Sequence, residues 1–283
     1  TMVGEPKDPE LRGLAPRVIE HLFMAVGERS TATLAYRFSA SYLEIYNEQI
    51  YDLLCGEAPA ERLDVRGAGD AVVDNLSRVP LASAAAALRV IERGAAERHT
   101  AATKMNLVSS RSHSVFALYL KGVNAEQGIV NHGALHLVDL AGSERASKTG
   151  ASGDTLKEGI AINQSLSALG NVINALTDTK KSGGHIPYRS SKLTHLLEES
   201  LGGNSITAML AAISPAARNY PETVNTLQYA ARAKLIVTHV TANVSIETSG
   251  GASPFGPGGA AVAEQMQMQM AAEHEARMRT QMV

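Results

Sequence analysis

Cysteine is almost absent from this chain: Cys55 stands alone among 283 residues. One thiol can form neither an internal disulfide nor a zinc cluster, and the scarcity fits a reducing compartment. No apolar run approaches the roughly 20 residues needed to cross a bilayer, which excludes a transmembrane helix. The opening TMVGEPKDPELRG has no basic-then-apolar pattern, so no secretory signal is read from it. Net charge is close to nil, at −2, and by itself points to no partner. Neither an internal repeat nor a sustained heptad pattern occurs, so a coiled coil is not indicated. What is there is 45% hydrophobic and 19% charged, with 24 Gly and 10 Pro. That globular composition excludes wholesale disorder and a collagen-like fold, and the length suffices for one large domain or two small ones.

Helical and strand periods alternate from residue 14 to about 245, which argues for α/β layering around a sheet. Leu14, Val18, Ile19, Leu22, Phe23 and Val26 are spaced for a helix, and 34–46 (LAYRFSASYLEIY) reads as a strand. Asn47 is expected to open a short helix carrying Ile50, Leu53 and Leu54, followed by a loop over 55–74. Ser83 suits the cap of a helix running to about Arg98. Residues 114–121 and 134–140 are apolar strands, and Ile162, Leu166, Leu169, Ile173 and Leu176 form the stripe of a helix with one buried face. The run 206–213 (ITAMLAAI) reads as a strand buried on both faces, and Pro221-Glu222 starts a helix through Lys234. Five Gly and two Pro in 248–259 mark a flexible linker, and 260–283 is a helix-prone tail rich in Met, Gln and Ala.

Two segments carry chemistry. In ALHLVDLAGSE (134–144) an apolar strand delivers Asp139 at its C-terminal end and Gly142 follows in a turn. Nucleotide-binding α/β proteins place ligands at that edge, where a carboxylate holds Mg²⁺ and a glycine N–H approaches a phosphate. A plain strand-turn-helix corner with a capping Asp is equally compatible. In NLVSSRSH (106–113) an amide, three hydroxyls and a guanidinium lie within eight residues. Such a set suits a phosphate and metal shell, and by itself also suits a serine-rich turn.

In combination, NxxSSRSH followed by LVDLAGSE resembles switch I and switch II of the kinesin motor family. SYLEIYNEQIYDLL (41–54), HIPYRSSKLTHLLEESLGGN (185–204) and NTLQYAARAK (225–234) follow in the family's order. The resemblance covers 1–247 and implies an α/β, P-loop NTPase-like motor fold, a central sheet flanked by helices on both faces. It implies ATP/ADP and Mg²⁺ as cofactors and a microtubule ATPase as the activity. Asn106, Ser109 and Ser110 would belong to the loop closing on the γ-phosphate and Mg²⁺, Asp139 would hold the metal through water, and Gly142 would sense the γ-phosphate. Arg111 and Glu144 would form the ion pair between the switches and, with Ser110, organise the lytic water. The helix carrying Ile162–Leu176 would relay the change. The phosphate cradle G-x-x-x-x-G-K-[ST] has no counterpart, since no Gly-Lys dipeptide occurs. In kinesins it lies just before a segment resembling Thr1-Met2-x-Gly4, so a longer polypeptide is expected, and the stretch in hand is not expected to bind ATP tightly by itself.

Between Arg145 and Lys192 seven bases (Arg145, Lys148, Lys157, Lys180, Lys181, Arg189, Lys192) face three acids (Asp154, Glu158, Asp178). Charge alone reads as an ordinary solvated surface. The resemblance turns Lys148, Lys157, Lys180, Lys181, Arg189 and Lys192 toward the microtubule, whose tubulin tails are acidic. His195 and Gln164 stand where many kinesins carry a base, and 66–76 holds one base and two acids, so weaker or more salt-sensitive tubulin binding is expected. LIVTHVTANVSIE (235–247) resembles a neck linker with Asn243 as its latch, and equally an edge strand. Localisation would be the cytoplasm and its microtubule cytoskeleton, with cilium or flagellum left open. Cargo or axonemal partners would bind outside this chain; no nucleic acid partner and no membrane span are expected. A kinesin-like scaffold on microtubules, without motility or ATPase activity, is the competing reading. His132 and His136 lack the helix and Glu of a zinc motif, and neither G-x-S-x-G nor a GTPase N-K-x-D occurs.

Overall fold

The computed structural model describes residues 1–5, 8–56, 63–67, 71–104, 111–142, 154–178 and 184–246. The expected linker and tail, 248–259 and 260–283, lie outside them. Helix α1 (Leu14–Arg29) is followed by β1 (Leu34–Tyr46), the strand its branched and aromatic residues predict. The short helix expected at Asn47 is instead a hairpin. Asn47 and Glu48 both take positive φ (48° and 57°), which turns the chain so that β2 (Gln49–Asp52) pairs antiparallel with β1, Tyr46 opposite Gln49. Two consecutive left-handed residues match the twist of a tight hairpin and cannot begin an α-helix. The 55–74 stretch holds the small ladder β3 (Val65–Arg66) and β4 (Val72–Val73), and β5 (Val79–Leu81) pairs with β1.

Helix α2 (Ala84–Lys104) starts where Ser83 Oγ accepts the Ala86 N–H at 3.2 Å. Strands β6 (His113–Asn124) and β7 (Ile129–Asp139) form a long hairpin beside β1, and β8 (Asn243–Ile246) closes the edge, giving the order β2-β1-β6-β7-β8. Every described pairing in this sheet is antiparallel. Alternate side chains serve opposite faces. Phe38, Ala40 and Tyr42 with Phe116, Leu118 and Leu137 pack under α1 and α2. Leu43, Ile45 and Val115 pack against α3 (Asp154–Thr177) through Leu169 and Ile173, and against α4 (Lys192–Leu196) through Leu193. The short α5 (Glu198–Gly202) follows α4, and α6 (Tyr220–Ala233), with Pro in its first turn, lies against α3.

The run 206–213 departs from expectation. Among the described residues it pairs with no strand, and Ile206, Leu210 and Ile213 are 62%, 62% and 55% exposed. Burial of a strand on both faces needs a ladder neighbour and cover on each side, and the described residues supply neither.

Candidate functional site

One arginine organises the C-terminal end of β7. The sheet register sets Glu44 of β1 opposite Ser114 of β6, and Ser114 opposite Asp139 of β7. These three polar residues form a lateral row on the face under α2. Ala87, Ile91 and Gly94 are the helix positions that meet that face. At Gly94 a Cβ would lie 2.1 Å from Tyr42 Cδ1, so glycine is what lets the helix settle onto β1. Four residues on, one turn along the same face, Arg98 reaches the row.

Its guanidinium spans all three strands. Nε donates to Glu44 Oε1 at 3.0 Å, Nη1 to Ser114 Oγ at 3.2 Å and to Asp139 Oδ2 at 3.3 Å, and Nη2 to the Ser112 carbonyl at 2.8 Å. Ser112 Oγ also donates a short hydrogen bond to Glu44. The side chains of Arg98 and Glu44 are 10% and 9% exposed, whereas that of Asp139 is 50% exposed. A buried carboxylate is therefore neutralised by the same cation that orients a solvent-facing one.

The ladder brings the described ends of the two sequence motifs to one end of the sheet. Arg111 stands two residues before β6, and Gly142 three after the end of β7, so both lie at the same sheet edge. His113, facing the other way, joins them: its Nδ1 accepts the Ala141 N–H at 3.0 Å, and Nε2 lies 2.8 Å from Ser165 Oγ of α3. Asn106, Ser109, Ser110, Glu144, Lys148, Lys180 and Lys181 lie outside the described residues, and Lys157 falls within α3.

Burial, assisted by the nearby Arg98 charge and opposed by Asp139, lowers the His113 pKa from 6.5 to about 4. Because the folded value is the lower one, the unfolded chain takes up the proton first as pH falls. The resulting stability is complete above pH 6.5 and is lost on acidification toward pH 4. Thermal melts are expected to decline more steeply over that window in the wild type than in His113→Asn; superimposable pH profiles would contradict a neutral buried ring.

Of the cations assigned to a docking face, Lys192 and Arg189 are engaged within the chain. Lys192 Nζ forms an ion pair with Asp64, and the Lys192 backbone N–H donates to Glu48 Oε2 at 2.7 Å. Arg189 Nη2 donates to the Gly67 carbonyl at 3.4 Å, and the His195 ring lies 3.0 Å from the same oxygen. The Lys192 contact holds the Asp64 carboxyl below the usual carboxylate range. Asn243 Oδ1 accepts from Asn204 Nδ2 at 2.8 Å, while Asn204 Oδ1 accepts the Thr241 N–H at 2.7 Å. One amide thus holds the segment leading into β8, which pairs with the start of β7.

Sequence reasoning missed Arg98, Glu44 and Asn204. A Glu set between Leu43 and Ile45 in β1, and an Arg on the Ile91–Gly94 face of α2, were the available signals.

A family model described as the kinesin motor domain matches residues 1–236. The chain is 46% identical over 250 residues to the kinesin heavy chain of Neurospora crassa, covering 87% of this chain and 26% of that one. It is 47% identical over 238 residues to the kinesin-like protein klp-20 of Caenorhabditis elegans, covering 83% and 36%. Among solved structures, a fast kinesin superposes with a TM-score of 0.79 at 43% identity, covering 91% of this chain and 72% of the other. A kinesin dimer bound with AMP-PNP to a microtubule gives 0.74 at 43%, covering 83% and 68%. The chain thus spans 26% to 36% of the length of the two relatives named.

Proposed function

The chain belongs to the kinesin motor domain family, and from that premise we propose that it serves an ATP-driven microtubule motor, coupling nucleotide hydrolysis to microtubule binding and movement. The observation that carries this reading is the pairing of Ser114 with Asp139, which sets the ends of the two polar loops side by side at one sheet edge. A half-exposed carboxylate at a strand end suits holding a Mg²⁺ through an intervening water, since that ion keeps much of its hydration shell. Asp139, through water, and the Ser110 hydroxyl would hold the metal. When bound, the ion neutralises charge on the phosphates and helps orient the terminal one.

Within the chain, Arg98 fixes the Asp139 carboxylate, Gly142 would offer its N–H where a terminal phosphate lies, and Arg111 would pair with Glu144 across the two loops. The Asn204 amide engages Asn243 as a latch for the docked 235–247 segment. The partner is tubulin, and the site of action is the microtubule cytoskeleton. The test is microtubule-stimulated ATPase of the complete polypeptide against its Glu144→Ala variant. Equal rates in the two would remove Glu144 from its role, and no stimulation in the wild type would favour the scaffold reading.

Lys192 and Asp64 give this reading a second handle. Asp64 competes with tubulin acids for the same ammonium group, so Asp64→Asn is expected to raise microtubule affinity about two- to fivefold at low salt. The gain should shrink as salt screens the pair, and Lys192→Ala should abolish it. Cosedimentation across a salt series measures this. Equal gain with and without Lys192 would separate the two residues.

A further inference from the structure

We propose that His113 is a positioning residue that couples the Gly142 loop to α3, so that movement at the nucleotide edge pulls the helix directly. This rests on the motor reading. His113 is 2% exposed and sits where β6 begins, on the α3 side of the sheet. Its ring is engaged at both ends. Nδ1 accepts the Ala141 N–H at 3.0 Å, one residue before Gly142, and Nε2 lies 2.8 Å from Ser165 Oγ. A neutral imidazole carries a single N–H. Since Nδ1 accepts, the proton is on Nε2 and Ser165 receives it.

Ser165 is buried in α3, one turn before Leu169, which packs in the core with Leu193 and Leu197. The strut therefore runs from loop to ring to helix with no exposed link. A hydrogen bond at 2.8 Å is lost when its ends part by about 1 Å, and a buried polar group left without its partner is unfavourable. Loop and helix are thereby held to moving together or breaking a buried bond, the behaviour of a two-position device.

Asparagine at 113 places an oxygen near the Nδ1 position but does not reach Ser165. His113→Asn and Ser165→Ala should therefore cut the same link. In the full chain, each is expected to reduce the ratio of microtubule affinities in AMP-PNP and in ADP at least fivefold, with the double variant no worse than either. Nucleotide affinity should stay within twofold, because the Ala141 contact survives. A merely structural role would instead lower the melting temperature and leave the ratio intact.

Two readouts need neither nucleotide nor microtubules. The ¹⁵N spectrum should show the Nε2–H tautomer of His113, and His113→Ala should speed Ala141 amide exchange at least tenfold. An Nδ1–H tautomer, unchanged Ala141 exchange, or an unaltered affinity ratio in Ser165→Ala would each overturn the proposal. A wild-type chain whose microtubule affinity ignores nucleotide would overturn the motor reading and the coupling role, while the tautomer and exchange results would still report on the strut itself.

Discussion

Arg98→Ala is expected to destabilise the fold by about 3–5 kcal/mol, the cost of stripping one partner from a buried ion pair. Glu44, 9% exposed in its side chain, would keep its charge without its cation, and the Ser112 carbonyl would lose its donor. For a chain of this size the melting point should fall by roughly 6–20 °C, a large part of a typical margin of about 5–15 kcal/mol. Arg98→Lys should fall between, because one ammonium cannot reach acceptors on three strands as a planar fork does. Pairing Arg98→Met with Glu44→Gln should recover part of the loss, since no uncompensated charge then remains buried. Urea titration with an unchanged slope gives the comparison. A midpoint for Arg98→Ala within error of the wild type would mean that the guanidinium does not hold the three strands together.

Asp139→Asn should separate chemistry from folding. Its side chain is 50% exposed, and its contact with Arg98 at 3.3 Å can be kept by an amide oxygen. The melting temperature should therefore move by only a few degrees. Microtubule-stimulated turnover of the complete polypeptide should fall about 100-fold, the loss seen when one preorganised electrostatic group is removed from an active site. Steady-state kinetics at saturating and limiting ATP would divide the effect between turnover and binding. Turnover within threefold of wild type would free Asp139 from any metal-holding role.

Where periodicity was strong, the elements could be read from the residues alone. The 13-residue β1 declares itself by Phe, Tyr, Leu and Ile, and α3 by an apolar stripe of which Leu169 and Ile173 are buried. The two misreadings share a cause. Asn47 looks like a helix cap because Asn satisfies free N–H groups there, yet Asn also tolerates the left-handed region, and a hairpin uses it that way. ITAMLAAI has the composition of a covered strand, but composition cannot say whether a neighbour stands beside it.

Chain order and residue type were enough to determine the family, the alternation of helix and strand, and the two polar motifs beside Asp139 and Arg111. The arginine hub was beyond their reach. Arg98 meets Glu44, Ser112 and Asp139 at separations of 54, 14 and 41 positions, and only strand register plus a glycine-permitted helix approach puts those three within reach of one guanidinium. His113 is similar, since which face of β6 it occupies follows from pairing with β1 and β7. Local sequence fixes what each segment prefers to be; the distances among side chains far apart in the chain are set by how the sheet aligns its strands.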